Sequence, residues 1–254
     1  MVALRFSKDS TVSSGSRNMQ EEISILIQAQ YPLIYLVTSE EERCEQAIAA
    51  IAKAKSQGRV FVWTVTQGMV EYGEPRTNAQ QNTISPQAAL EWVIRQREPN
   101  SNLSVYIFKD LHPFKDDATV TRLLRDAIAN FKGTHKTIIL MSPLQQIPIE
   151  LEKEVVVLDF ALPDMAELNQ VLSSQLERTK SRRITTEARE KLLKAALGLT
   201  KDEAEKVYRK AQVCKGRLTE DEVDIVLSEK KQLIRRNGIL EFIEEDETLD
   251  AVGG

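Results

Sequence analysis

Five short apolar segments, each the length of a β-strand, alternate with amphipathic segments through the N-terminal part of the chain. These segments are Leu33–Val37, Val60–Val65, Leu103–Phe108, Thr137–Leu140 and Val155–Leu158. Each is apolar at nearly every position, which is typical of strands that are buried on both faces of a parallel sheet. Parallel strands need crossover connections, and the intervening segments have helical periodicity. The sequence therefore predicts an α/β fold in which a five-stranded parallel sheet carries helices on both faces.

Capping sequences indicate where the predicted helices begin. A hydroxyl or carboxylate residue followed three positions later by glutamate forms a capping box, which satisfies free amides at a helix start. Asp116 or Asp117 has the position of an N-cap, and Ser85 is followed by proline, which is favoured in a first turn. The pairs with capping-box spacing are Ser39–Glu42, Asp164–Glu167, Thr200–Glu203 and Thr219–Glu222.

The strand pattern stops after a basic segment, and three further helices are predicted over residues 186–197, 201–212 and 220–236. A small α-helical lid-like domain is therefore expected to follow the α/β core. The predicted organisation is a disordered tail over residues 1–18, an α/β core over residues 19–178, a helical lid-like domain over residues 184–240 and an acidic linker over residues 241–254.

Charge and composition exclude several classes of partner. The 34 lysines and arginines are outnumbered by 38 acidic residues, and the net charge of -4 argues against nucleic acid as a main partner. The sequence contains no apolar run near the ~20 residues that a membrane helix requires, so no membrane partner is expected. Cys44 and Cys214 lie far apart and do not cluster with His112 or His135. We therefore expect no disulfide and no metal site, in a reducing, cytoplasmic compartment.

The end of the first predicted strand lacks a phosphate-binding sequence. Nucleoside triphosphatases of this class carry G-x-x-x-x-G-K-[ST] there, because backbone amides and a lysine must surround the phosphates. This chain instead continues Thr38-Ser39-Glu40-Glu41-Glu42, with no glycine or lysine. These carboxylates complement the helix dipole and would repel a phosphate. The sequence therefore predicts a capped helix rather than an anion site.

Gly68 and Gly73 have the spacing of the two phosphate-loop glycines, but they follow the second predicted strand. The next residues are Glu74 and Pro75, where a lysine and a hydroxyl residue are required. Glutamate reverses the charge and proline removes an amide donor. We therefore predict an exposed loop here.

The ends of the third and fourth strands carry the remaining polar candidates. A strand that ends in an acid holds Mg²⁺ in many triphosphatases, and Asp110 has this position after Lys109. Lys109 is expected to pair with Asp110 or with the acids after the first strand. His112 is predicted to be a hydrogen-bonded turn residue. The vestigial cleft is predicted to contain Thr38, Ser39, Lys109, Asp110 and Ser142, without catalytic residues, bound metal or bound cofactor.

Two alternative functions are compatible with these strand ends. Asp110 could serve as the metal residue of an unconventional nucleotide site that hydrolyses ATP. The chain also has the outline of a phosphoacceptor receiver domain, with Glu40 and Glu41 after the first strand, Asp110 after the third and Ser142 after the fourth. A receiver requires a lysine after the fifth strand, where Asp159 stands instead.

The order of these segments resembles an AAA module, with Asp110 in the Walker B position and Ser142 in the sensor-one position. The chain is more specifically similar to the N-terminal half of uncharacterised AAA-domain proteins of cyanobacteria and algal plastids, a hypothetical chloroplast reading frame family. The segments that carry this resemblance are Tyr31–Arg43, Val62–Thr66, Lys109–Phe114, Gly198–Thr200 and Glu229–Gln232.

The resemblance implies a catalytically silent AAA-like domain with a role in assembly, partner binding or regulation. In that family an ATP-hydrolysing module follows, and residues 247–254 resemble the segment that precedes it. ATP and Mg²⁺ are therefore expected only in an adjoining module. Residues 149–153 lack the arginines that AAA modules present to a neighbouring nucleotide. Expected partners are proteins, including AAA-type self-association of the full-length protein, in cyanobacterial cytosol or plastid stroma.

Overall fold

The computed structural model describes residues 15–54, 58–96, 102–178, 184–215 and 222–236. The chain divides into two compact units between Leu162 and Pro163. The first unit is an α/β sandwich and the second consists of helices. The predicted fold class, an α/β core followed by a helical part, is therefore confirmed.

The α/β unit contains one six-stranded sheet. Its strands are β1 (Leu33–Val37), β2 (Arg59–Thr64), β3 (Gly68–Glu71), β4 (Ser104–Lys109), β5 (Lys136–Ser142) and β6 (Val156–Asp159), in the spatial order β3-β2-β4-β5-β1-β6. The five predicted strands are present as β1, β2, β4, β5 and β6. Neighbouring strands within this set pair in parallel. The sheet contains one strand more than the five predicted, because β3 adds an antiparallel edge strand next to β2.

Strand β3 lies where the sequence predicted the start of a loop. A tight turn brings the chain back along β2, so that Trp63 pairs with Met69 and Val62 pairs with Val70. Met69 is fully buried and Val70 nearly so. The segment is too short for a strand pattern to be visible in the sequence, and its burial arises from pairing with β2.

The position of β1 distinguishes between the alternative folds. Without the antiparallel β3, the spatial order of the parallel strands is β2-β4-β5-β1-β6. Numbered along the chain from one to five, these parallel strands have the order 2-3-4-1-5. Receiver domains have a flavodoxin-like order, in which the first strand lies between the second and third. In this sheet Tyr35 of β1 pairs instead with Leu140 of β5 and Val157 of β6. The receiver-like alternative is therefore wrong.

Helices cover both faces of the sheet. On one face, α1 (Gly15–Gln28) and α2 (Glu41–Lys53) pack on side chains such as Ile34 and Ile139. On the other face, α3 (Pro86–Arg95) and α4 (Ala118–Phe131) pack on an aromatic core. Since successive strand residues point to opposite faces, this double coverage explains why the strands are apolar throughout. Helix α1 begins inside the predicted tail, and residues 1–14 lie outside the described residues.

Most predicted caps are present. Asp117 Oδ1 accepts hydrogen bonds from the backbone N–H groups of Thr119 and Val120, and Ser85 Oγ accepts one from Ala88. The Asp164–Glu167 and Thr200–Glu203 pairs form reciprocal capping boxes. The Ser39–Glu42 prediction is wrong, because Glu40 rather than Ser39 is the N-cap of α2, and the Glu40 side chain forms no capping hydrogen bond. The Thr219–Glu222 pair falls partly outside the described residues.

The second unit contains α5 (Met165–Arg178), α6 (Thr186–Ala196), α7 (Lys201–Lys215) and α8 (Val223–Arg236). Helix α5 was predicted to belong to the α/β core, but Leu168 and Leu172 are buried with Leu192 and Tyr208 of the other helices. The boundary therefore lies near residue 162 rather than residue 178. The predicted linker over residues 241–254 lies outside the described residues. None of the described helices is long and apolar enough to cross a membrane.

Candidate functional site

The candidate site is the edge of the sheet where β1, β4 and β5 end, and we call it the carboxyl edge. Thr38 donates its backbone N–H to the carbonyl of Ser142 at 2.9 Å, and Asp110 donates its N–H to the carbonyl of Met141 at 2.9 Å. Parallel neighbours end side by side, so the structure brings the predicted residues Thr38, Asp110 and Ser142 together. Lys109 is the last residue of β4, and Ser39 is exposed beside Thr38.

The connection between β1 and α2 is too short for a phosphate loop. It consists of three residues, Thr38, Ser39 and Glu40. A phosphate loop spans about eight positions from its first glycine to its hydroxyl residue. Within the connection, the Glu40 N–H donates to Thr38 Oγ1 at 2.9 Å. The Glu40 amide is therefore satisfied within the connection and is not available to an anion.

A buried ion pair lies at the start of α2. Arg43 Nη1 lies 2.7 Å from Glu40 Oε2, and the two side chains are only 8% and 6% exposed. The same guanidinium donates to the carbonyl of Ala161 at 2.6 Å and lies 4.8 Å from the centre of the Phe160 ring. This pair was not predicted from the sequence, although the i, i+3 spacing of Glu40 and Arg43 at a helix start is a visible signal.

The side chain of Lys109 extends from the end of β4 to the first turns of α2. Its ammonium lies 2.9 Å from Glu41 Oε2 and forms a second ion pair with Glu45. Of the two pairings predicted for this lysine, the one with the acids after the first strand is present. Partial burial disfavours the charged ammonium, but hydrogen bonds to Glu45 and Glu41 outweigh this effect and raise the pKa of Lys109. The lysine at this edge is therefore held by carboxylates of its own chain.

Replacing Lys109 with methionine is expected to lower the free energy of unfolding by about 1–3 kcal/mol, because Glu45 would remain nearly buried without its cation. Adding Glu45→Gln should restore part of the loss. Because the folded state raises the pKa of Lys109, its contribution is fully present below the unfolded value near 10.5. It is lost as pH rises through the folded pKa. Urea unfolding of wild type and variant at pH 7 and pH 11 should show a smaller difference at pH 11.

Asp110, His112 and Ser142 form a small polar cluster at the ends of β4 and β5. His112 Nδ1 lies 2.9 Å from Ser142 Oγ and 3.8 Å from Asp110 Oδ1. Ser142 Oγ also accepts the N–H of Leu144 at 3.2 Å. Both neighbours meet the same imidazole nitrogen, so His112 cannot relay a proton from Ser142 to Asp110 through opposite ring nitrogens as a catalytic triad does. The cluster holds two turns together, as predicted for His112.

Cys44 of α2 is a further reactive group near this edge. Burial raises the pKa of the Cys44 thiol to about 12, and the adjacent Glu45 adds to this effect. Cys44 is therefore protonated near neutral pH, whereas a nucleophile or metal ligand must be a thiolate. Among the residues that the structure describes, no three His, Cys, Asp or Glu side chains are arranged to hold a metal ion.

Family models match both units of the chain. A model described as the N-terminal domain of SpoVK-like AAA ATPases matches residues 19–160, and a model described as the second domain of the same ATPases matches residues 166–237. A relative from Trieres chinensis, described as the uncharacterised AAA domain-containing protein ycf46, is 31% identical over 92% of this chain. The chain spans about half of that relative, 46% of its length.

Solved structures with low sequence identity share the fold. The structure of PCH-2 from C. elegans has a TM-score of 0.57 and 10% identity, covering 89% of this chain and 71% of PCH-2. The FIGL-1 AAA domain in complex with ADP has a TM-score of 0.54 and 10% identity, and the match covers 92% of this chain and 94% of that AAA-domain chain. At this identity the likeness concerns the fold alone.

Proposed function

Because this chain belongs to the SpoVK-like AAA ATPase family, we propose that it is a catalytically silent AAA-like domain. Its role is then assembly, partner binding or regulation of an ATP-hydrolysing module, rather than ATP hydrolysis. The observation that carries this proposal is the three-residue connection between β1 and α2, which leaves no chain for a phosphate loop.

The charges at the carboxyl edge support the same proposal. An anion at a helix N-terminus is normally stabilised by free amides and by the positive end of the helix dipole. At α2, Glu40, Glu41 and Glu42 occupy this region, and Glu40 is buried. Two cations beside the helix start, Arg43 and Lys109, are already paired with Glu40, Glu41 and Glu45. These residues do not fit a triphosphate with its magnesium ion.

Isothermal titration of the 254-residue chain with ATP and Mg²⁺ is expected to show no binding at millimolar nucleotide. The variant Glu41→Gln/Glu42→Gln is the matched test of repulsion, and it should remain unable to bind because the phosphate loop is still missing. Micromolar binding by the wild type would contradict the proposal. If that binding disappeared in Asp110→Ala, the alternative of an unconventional nucleotide site at Asp110 would replace it.

The proposed regulatory role has its own test. Adding the chain to a purified ATP-hydrolysing AAA protein of the same family is expected to change its kcat and to produce a complex in sedimentation. Bovine serum albumin at the same concentration controls for non-specific effects. Absence of both a complex and a change in kcat would contradict this role, while leaving the prediction on nucleotide binding intact.

A further inference from the structure

A groove of about 610 Å³ lies in the α/β unit, between α4 and the connection that joins β5 to β6. Its two walls belong to different elements, and both walls lie within the described residues. The α4 wall contributes Lys115, Arg122 and Arg125, and the wall formed by the connection contributes Ile147, Ile149 and Glu150.

The connection between β5 and β6 is fixed on the body of the unit. Leu151 is fully buried in the core beside α4. The Tyr35 hydroxyl donates a hydrogen bond to the carbonyl of Leu144 at 2.5 Å, and Ser142 Oγ accepts the N–H of Leu144 at 3.2 Å. The groove therefore exists before a partner arrives, which lowers the entropic cost of binding.

The connection presents apolar side chains to solvent at the mouth of the groove. Ile149 is 76% exposed, more than any other large apolar side chain among the described residues of the α/β unit. Ile147 and Pro148 beside it are only half-buried. Adjoining exposed apolar side chains of this kind are typical of surfaces that bind another protein.

The groove carries one unpaired charge of each sign, on opposite walls. Arg125 and Glu150 are both exposed, and neither forms an ion pair with a residue in the part of the chain that the structure describes. The other charged lining residues have neighbours of opposite sign, in the pairs Arg122–Asp126 and Lys115–Asp116. A complementary partner must therefore offer an acid to Arg125, a cation to Glu150 and an apolar side chain to Ile149.

A second copy of the same face meets all three requirements. In a two-fold contact, a residue at one position meets a residue at another position of the partner, and the reverse pair forms as well. Arg125 of each copy then meets Glu150 of the other. The two Ile149 side chains lie between these pairs, where each is removed from water.

We propose that two copies of this chain associate through this groove about a two-fold axis. Two reciprocal Arg125–Glu150 ion pairs flank the Ile149 side chains in the contact. The dimer deepens the assembly role and rests on the proposed function in that respect, but it does not depend on nucleotide binding. Because the contact uses the same face twice, it closes at two copies and does not propagate.

Sedimentation velocity of the 254-residue chain tests this contact. The wild type is expected to show a monomer–dimer equilibrium at concentrations up to about 0.5 mM, the range in which weak interfaces are populated. Arg125→Glu and Glu150→Arg should each raise the dimer Kd roughly hundredfold, because like charges then meet at both symmetric positions. Lys132→Glu is the matched control. Lys132 is exposed after α4 and does not line the groove, so this variant should change Kd by less than about threefold.

Mixing the two charge variants completes the test. An equimolar mixture of Arg125→Glu and Glu150→Arg is expected to form heterodimers with a Kd near that of the wild type, because an acid again meets an arginine at both positions. Ile149→Asp should abolish the dimer, and circular dichroism establishes that each variant is folded.

Three results would overturn the proposal. They are a wild type that stays monomeric at about 0.5 mM, single charge variants that dimerise like the wild type, and a mixture that stays monomeric. Assemblies that grow beyond two copies would overturn it in favour of a head-to-tail contact. Each of these failures leaves the prediction on ATP binding intact, so the proposed function is tested separately.

Discussion

Arg43→Met is expected to destabilise the α/β unit by about 3–5 kcal/mol. The guanidinium and the Glu40 carboxylate form an ion pair that is almost completely buried, and Arg43 also binds the Ala161 carbonyl. Removing the arginine leaves Glu40 buried without that cation, which costs several kcal/mol even after relaxation of the site. Urea unfolding followed by tryptophan fluorescence measures the effect, since Trp63 and Trp92 both lie in the α/β unit.

The matched control for this prediction removes both charges. Glu40→Gln/Arg43→Met removes both charges of this pair, so neither leaves the other buried without its partner, and the double variant should recover more than half of the stability lost in Arg43→Met. Arg122→Met is a surface control, because its partner Asp126 lies on the exposed side of α4, and it should cost less than about 1 kcal/mol. A loss in Arg43→Met no larger than in Arg122→Met would show that the start of α2 is not held by this pair.

Gly68→Ala is expected to destabilise the α/β unit by about 2–4 kcal/mol. Gly68 has φ +73°, a region that side chains adopt at a cost of about 1 kcal/mol or more. An added Cβ would also lie 2.7 Å from Thr83 Oγ1. Thr83 cannot easily move, because this oxygen accepts the N–H of Met69 and donates to the carbonyl of Gln80. The remaining loss, about 1–3 kcal/mol, reflects overpacking.

Gly73→Ala separates these two contributions. Gly73 also has a positive φ, +89°, but an added Cβ would meet no atom within 4 Å. It should therefore lose only about 1 kcal/mol, measured by the same urea unfolding of tryptophan fluorescence. Equal losses for the two glycines would mean that the contact with Thr83 relaxes without cost. The pair also shows why phosphate-loop spacing misleads here, since Gly68 opens β3 rather than a loop around an anion.

The lack of an anion-binding site at the carboxyl edge could be predicted only in part from the sequence. The absence of a phosphate-loop sequence and the row Glu40-Glu41-Glu42 could be seen directly. The partners of these acids could not, because Lys109 lies more than sixty residues away and reaches Glu41 and Glu45 only through the pairing of the strands. The Ser39–Glu42 capping box was a reasonable local prediction. It failed because the buried pair with Arg43 placed Glu40, rather than Ser39, at the helix start.

The sequence by itself determined the five parallel strands, most helix starts and the family to which the chain belongs. The strands and helix starts depend on local periodicity and on side chains that cap their own helix, and such signals extend over only a few residues. The family was indicated separately, by the resemblance of several sequence segments in the same order. The tertiary structure alone decided the addition of β3, the place of β1 between β5 and β6, and the assignment of α5 to the helical unit. Each of these depends on which surfaces meet across long stretches of chain, and the free energy of that burial is not encoded in any single segment.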